Sequence, residues 1–76
     1  MDAIPLELLQ RGEQADVTEV HGEPGWVGRM AELGIRAGCR LRMLQPGAPC
    51  VLLVGESRFT VRGDSVFQIL VRPVTR

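Results

Sequence analysis

The feature that most restricts the fold is a short helical pattern that ends on one glycine and is followed by a second. Apolar residues recur every three or four positions from Pro24 to Leu33, which predicts a helix of about three turns with one apolar stripe. Gly34 stands where a helix end favours a left-handed residue, and Ile35 can fold back onto the stripe. Gly38 can adopt the positive φ with which a strand leaves in a new direction. The stripe consists of Trp26, Val27, Met30, Ala31 and Leu33.

Five short strands are predicted around this helix from alternating or continuous apolar residues. The first starts at Gln14 and contains a bulge near Thr18 and Glu19, because the next apolar position, Val20, is displaced by one residue. The continuous apolar run 50–54 is expected to be covered on both faces. The other strands are predicted over residues 39–44, 57–62 and 68–73.

The connections between these strands carry turn signals. Residues 5–9 hold three leucines behind a proline and predict a single turn that plugs one end of the core. Two prolines and a glycine exclude residues 45–49 from a hydrogen-bonded strand ladder and predict a loop. Gly55 begins a tight connection between two strands. Residues 63–67 predict a turn with one helical twist. The pattern is typical of a mainly β fold: a small, strongly bent five-stranded antiparallel barrel without open edges, one inserted α-helix and short helical turns.

Length and charge restrict the function. The 76 residues form one domain, 1–76, and its 45% of hydrophobic residues should let it fold alone. Nine arginines balance nine acidic residues, so the basic surface that binds phosphate is missing and nucleic acid is not expected as a partner. No apolar run approaches the ~20 residues of a membrane span, and the N-terminus lacks the regions of a signal peptide. We therefore expect a cytoplasmic protein without direct membrane insertion.

No motif for catalysis is present. The sequence has one histidine, no phosphate-binding loop and no nucleophile beside a base, so we expect no enzyme activity. Cys39 and Cys50 form no CxxC motif and are interpreted as reduced thiols used as small apolar residues. An arginine supplied to a GTPase needs only one well-placed side chain, for which Arg29, Arg40 and Arg42 are candidates, but solvated surface charge is the expected role.

One group of residues has the chemistry of a metal site. Glu19 and His21 share the outer face of the first strand after the bulge, and Glu23 is close in sequence. Imidazole and carboxylate suit both Zn²⁺ and Fe²⁺, but a stable site needs a third or fourth protein ligand. We predict at most a weak surface site for a loosely held Fe²⁺ or Zn²⁺, with completion by a second copy of the chain left open, and no required cofactor.

A second group has the composition of a protein interface. Trp26 stands in the first turn of the helix at the edge of the apolar stripe, where it either covers an end of the barrel or belongs to an exposed apolar spot. Aromatic and arginine side chains are enriched at the centres of interfaces. The second interpretation predicts a partner-binding surface that comprises Trp26, Val27 and Leu44, rimmed by Arg29, Arg40 and Arg42.

The capped helix and the strand residues after it resemble the FeoA family over nearly the whole chain, from about Pro5 to Val74. The resemblance implies an SH3-like barrel and a non-catalytic accessory protein that docks on a membrane ferrous iron transporter with a cytoplasmic GTP-binding domain (FeoB-type) and activates or regulates it. The alternative is a metal-sensing regulatory domain that binds Fe²⁺ or Zn²⁺; a homodimer is also left open. The resemblance rests on Met30, Glu32, Leu33, Gly34, Ile35, Gly38, Gly55, Val61, Arg62, Val66, Ile69 and Val71.

Overall fold

The computed structural model describes residues 2–62 and 68–74. These residues form one antiparallel sheet of six strands, one α-helix and one 3-10 turn at Leu6–Leu8. The order of strands across the sheet is β1-β6-β2-β3-β4-β5. The helix α1 is Pro24–Glu32, and the strands are β1 Ile4–Pro5, β2 Gln14–Val20, β3 Arg40–Gln45, β4 Cys50–Val54, β5 Ser57–Val61 and β6 Ile69–Pro73.

The mainly β fold with one inserted helix is confirmed, but the described residues form six strands and not five. The additional strand, β1, has two residues and exists through its pairing with β6, where Ile4 faces Val71. The predicted absence of open edges is also corrected. The described strands form one sheet that ends at β1 and β5, and these two strands are not paired with each other.

The bulge predicted in the first strand is confirmed. Val17 lies opposite Val71 and Glu19 lies opposite Leu70, so the register between β2 and β6 shifts between Val17 and Glu19. The extra residue turns the end of β2, and Glu19 becomes exposed while Val17 is buried. The bulge therefore presents Glu19 and the following His21 to solvent.

The glycine cap of α1 is confirmed in detail. Gly34 has φ +100°, its N–H donates to the carbonyl of Ala31 at 3.0 Å, and the N–H of Ile35 donates to the carbonyl of Met30 at 2.8 Å. These two bonds form a Schellman motif, which satisfies carbonyls that a helix end otherwise leaves without partners. Ile35 is 1% exposed, so the cap also anchors the helix end in the core. Gly38 likewise has a positive φ, +94°, and β3 starts at Arg40, one residue after the predicted start.

One apolar core lies inside the curved sheet. The predicted plug is confirmed, since Leu6 and Leu9 of the first turn are 0% and 2% exposed. The prediction for β4 is corrected: Cys50 and Leu52 are buried, whereas alternate residues on its other face are only partly covered. The predicted turn at 63–67 lies outside the described residues. The remaining core residues are Ala15, Val17, Ile35, Leu41, Met43, Val61, Ile69 and Val71.

Candidate functional site

A groove of about 250 Å³ lies between α1 and β5. Trp26 and Met30 line it from the helix, and Phe59 lines it from the strand; all three are partly buried and pack on the core. Leu33, just after the helix, is 45% exposed. The groove is therefore a mainly apolar surface fixed on two regular elements. Its other lining residues are Ile35, Thr60, Val61 and Arg62.

The position of Trp26 depends on a glycine that precedes the helix. A Cβ atom placed on Gly22 would lie 2.9 Å from Cε3 of Trp26, closer than side-chain carbons approach. Gly22 also has φ +148°, a backbone conformation that other residues rarely adopt. The missing side chain of Gly22 leaves room for the indole ring of Trp26 and for the side chain of Gln68. Trp26 both covers part of the core and lines the groove.

The six residues predicted as one partner-binding surface occupy different places. Trp26 lines the groove, whereas Arg42 lines a second depression, beside Gly12, and donates a hydrogen bond to the carbonyl of Gly12 at 2.9 Å. On β3, Arg40 is exposed and Leu44 is half-buried. On α1, Val27 is half-buried and Arg29 is exposed. The described structure thus places Trp26 and Arg42 in separate depressions.

Arg40 forms an ion pair across the sheet. Its Nε donates to Oδ1 of Asp16 at 2.8 Å and its Nη2 donates to Oδ2 at 3.2 Å. The two residues face each other in the β2–β3 register. The hydrogen bonds from Arg40 hold the pKa of Asp16 below its usual value and raise the pKa of Arg40. Arg40 therefore has a structural partner on the sheet.

The groove includes residues that the sequence did not suggest as site residues. Phe59, Thr60 and Arg62 come from β5 and the residue after it, more than thirty positions beyond Trp26. Met30, Leu33 and Ile35 were predicted only as structural residues of the capped helix. The one sequence signal on β5 was its alternation, in which Phe59 stands between outward-facing polar residues.

The predicted metal ligands are brought together only in part. Oε1 of Glu19 contacts Nε2 of His21, and both side chains are exposed, at 53% and 63%. Glu23 stands at the N-terminal boundary of α1. No group of three or more His, Cys, Asp or Glu side chains suited to a metal occurs among residues 2–62 and 68–74. The donor types suit Zn²⁺ or Fe²⁺, but the number of ligands falls short of a closed site.

The two cysteines are free thiols. Cys39 is half-buried beside the start of β3, and Cys50 is 1% exposed. Burial raises the pKa of the Cys50 thiol, which disfavours the reactive thiolate. In the described part of the chain, no helix is long and apolar enough to cross a membrane.

A curved six-stranded sheet with one helix and an apolar groove defines a small SH3-like domain. The chain belongs to the FeoA domain family, whose model matches residues 4–73. A solution structure of a FeoA protein from Chlorobium tepidum is 29% identical, with a TM-score of 0.87 over 95% of this chain and 71% of that one. The family is linked to ferrous iron transport, in which it forms a small accessory domain.

Two further solved structures are similar to this chain. A FeoA protein from Stenotrophomonas maltophilia is 29% identical, with a TM-score of 0.77 over 91% of this chain and 89% of that one. It was solved in complex with zinc, described as a prokaryotic SH3 domain protein and put forward as an activating factor of bacterial ferrous iron transport. The IdeR protein of T. acidophilum, at 15% identity and a TM-score of 0.84, shares the fold over 95% of this chain and 34% of its own length. No curated protein sequence matches significantly.

Proposed function

We propose that this protein is a non-catalytic cytoplasmic accessory protein of ferrous iron uptake. It docks on the cytoplasmic part of a membrane ferrous iron transporter that carries a GTP-binding domain, and it activates or regulates that transporter. The family supports the link to iron uptake. The single observation that carries the docking is the groove between α1 and β5.

The groove has the composition of an interface centre. It combines one tryptophan, one phenylalanine and aliphatic side chains with Arg62 at its rim. Trp26 and Phe59 are held in place by the core beneath them, so they lose little freedom when a partner covers them. Leu33 is unusually exposed for a large apolar residue, and its side chain would become buried when a partner docks. Rigid aromatic anchors beside unburied aliphatic surface are typical of binding hot spots.

Capture of the transporter's cytoplasmic domain by the purified protein tests the proposal, together with iron uptake in a deletion strain. Trp26→Ala and Leu33→Ala should each weaken capture about tenfold or more, the usual effect of truncating an anchor residue. Leu8→Ala is the matched control, because Leu8 is 59% exposed on the 3-10 turn and does not line the groove. Wild-type uptake in the deletion strain, or equal losses from Leu8→Ala and Leu33→Ala, would contradict the proposal.

Stability measurements separate docking from folding for Trp26. If its role is docking, Trp26→Ala should melt well above Gly34→Val, in which a β-branched residue is forced to positive φ at a cost of about 1–3 kcal/mol. If the two variants melt equally early, Trp26 is mainly a core cover, and capture by Leu33→Ala, which changes an exposed lining residue, then decides whether the groove is the docking surface.

The contact between Glu19 and His21 supports a second candidate, a metal-sensing regulatory domain. In this function, Fe²⁺ or Zn²⁺ binds these two side chains and changes the affinity for a partner, and linkage requires the partner to change the metal affinity equally. Anaerobic calorimetry with Fe²⁺ tests it on the wild type and on His21→Ala. Binding no tighter than about millimolar, or binding unchanged in His21→Ala, would refute it.

A further inference from the structure

We infer that the partner contributes an extended, acidic segment that binds as an additional strand along the open edge of β5. Its apolar residues enter the groove, and its carboxylates lie beside Arg58 and Arg62. This inference rests on the proposed function and specifies the chemistry and the binding mode of the docking segment.

The first observation is that β5 is an end strand. Its only strand neighbour in the described sheet is β4, to which it is joined by the two-residue turn at Gly55 and Glu56. An end strand presents unpaired N–H and C=O groups that can pair with another strand. Addition of a strand to such an edge is a common way to bind an extended peptide.

The register shows which backbone groups face this edge. Val54 and Ser57 close the two-residue turn and therefore exchange both hydrogen bonds, and antiparallel pairing then alternates along the strands. Phe59, opposite Leu52, consequently directs its N–H and C=O toward β4. The N–H and C=O groups of Arg58 and Thr60 point to the open edge. Among the described residues, no turn, loop or cap hydrogen bond uses them.

The groove runs along this same edge. Phe59 and Val61 point to the core side of β5, whereas Thr60 points outward, yet all three line the groove. Because side chains alternate between the two faces of a strand, a lining of consecutive residues is expected where a depression follows the edge of that strand. The opposite wall is α1, with Trp26 and Met30. A strand added to β5 would therefore lie between β5 and the helix and place alternate side chains against the aromatic residues.

Charge identifies the occupant. Arg58 and Arg62 flank the open edge, both are exposed, and neither forms an ion pair or side-chain hydrogen bond with another described residue. Two copies of β5 paired about a twofold axis at Thr60 would place Arg58 of each copy opposite Arg62 of the other, and like charges facing across strands are destabilising. The edge thus disfavours a second copy of the chain and favours a segment with acidic residues.

Synthetic peptides test the inference directly. The probe is a capped peptide of about eight residues, a usual strand length, with alternating glutamate and valine. Its counterpart carries lysine in place of glutamate. Amide NMR spectra of the isotope-labelled protein should show that the acidic peptide shifts the amide signals of Arg58 and Thr60 and slows their hydrogen exchange. The lysine peptide should bind at least about tenfold more weakly than the acidic peptide. Equal binding of both peptides, or shifts that spare β5, would overturn the inference.

A backbone variant distinguishes strand addition from simple apolar docking. Thr60→Pro removes an N–H that faces the open edge and leaves the β4–β5 ladder intact, as proline on an edge strand can. We expect about tenfold weaker binding of the acidic peptide by Thr60→Pro and unchanged binding by Thr60→Ala, which keeps the N–H. If Thr60→Pro binds like the wild type, the segment does not pair with β5.

A charge-reversed protein keeps the inference testable if Thr60→Pro does not fold. The double variant Arg58→Glu, Arg62→Glu changes only exposed side chains and should prefer the lysine peptide. Retained preference for the acidic peptide would overturn the inference. Capture of the transporter domain is measured in parallel: if the wild type captures it and Thr60→Pro captures it equally, strand addition fails while the proposed function stands. If the wild type captures nothing, the proposed function itself fails.

Discussion

Replacing Gly34 and Gly28 by alanine should change stability in opposite directions, although the chemical change is the same. At Gly34 the new Cβ would meet only Cγ1 of Val54, at 3.7 Å, an ordinary contact, so steric overlap contributes little. The cost comes from φ +100°, where an L-residue loses about 1–2 kcal/mol. Each kcal/mol shifts the Tm of a domain this small by about 4–8 °C, so Gly34→Ala should melt about 4–16 °C lower than the wild type.

Gly28 provides the matched control. It lies inside α1, its φ is not positive, and a Cβ added there would have no neighbouring atom within 4 Å. Alanine there removes the helix penalty of glycine, about 1 kcal/mol, and should raise the Tm by about 4–8 °C. Thermal melts followed by circular dichroism measure both variants. A Tm of Gly34→Ala at or above that of the wild type would contradict the predicted cost of the positive φ. A Tm of Gly28→Ala that is lowered as much as that of Gly34→Ala would contradict it as well.

Two further predictions concern titratable groups. The Asp16–Arg40 pair stabilises the fold fully above the unfolded pKa of Asp16, about 4, and this contribution is lost as the pH falls through the lowered folded pKa. The Tm difference between the wild type and Asp16→Asn should therefore close below about pH 4; a constant difference down to about pH 2 would contradict this. Because Cys50 is buried with a raised pKa, a thiol reagent should label it only as fast as the protein unfolds. Equal labelling rates in the native protein and in Cys50→Ser would show that Cys39 alone reacts, whereas rapid labelling of Cys50 in Cys39→Ser would contradict the prediction.

Features encoded by neighbouring residues were predictable from the sequence. The Schellman motif at Gly34 needs only a helix end, a glycine and a following apolar residue, all of which stand within a few positions. The bulge in β2 was visible because Val20 breaks a period of two, and the structure shows the register shift there. The plug of Leu6 and Leu9 followed from a proline before a cluster of leucines.

Features that depend on distant pairing were not predictable in this way. β1 has only two residues, too few for any periodicity, and is defined by contact with β6 near the other end of the chain. The predicted interface joined Trp26 to Arg40 and Arg42 by composition, as an aromatic residue beside outward-facing arginines, but Arg40 faces Asp16 across the sheet. The curvature that brings Phe59 to Trp26 is a property of the whole sheet, and no local pattern reports it.

The place of β6 in the sheet gives the chain an order of assembly that differs from the order of its synthesis. β2, β3, β4 and β5 are consecutive neighbours and can pair as soon as they leave the ribosome. β1 is synthesised before the other described strands, but it can pair only after β6 has been made. β6 then inserts between β1 and β2, and its residues Ile69 and Val71 become buried. Until β6 emerges, the nascent chain holds a meander with an unpaired edge at β2 in addition to the one at β5, and its core is incomplete. During this interval the nascent chain has exposed apolar surface and unpaired strand edges, which favour aggregation and binding by chaperones.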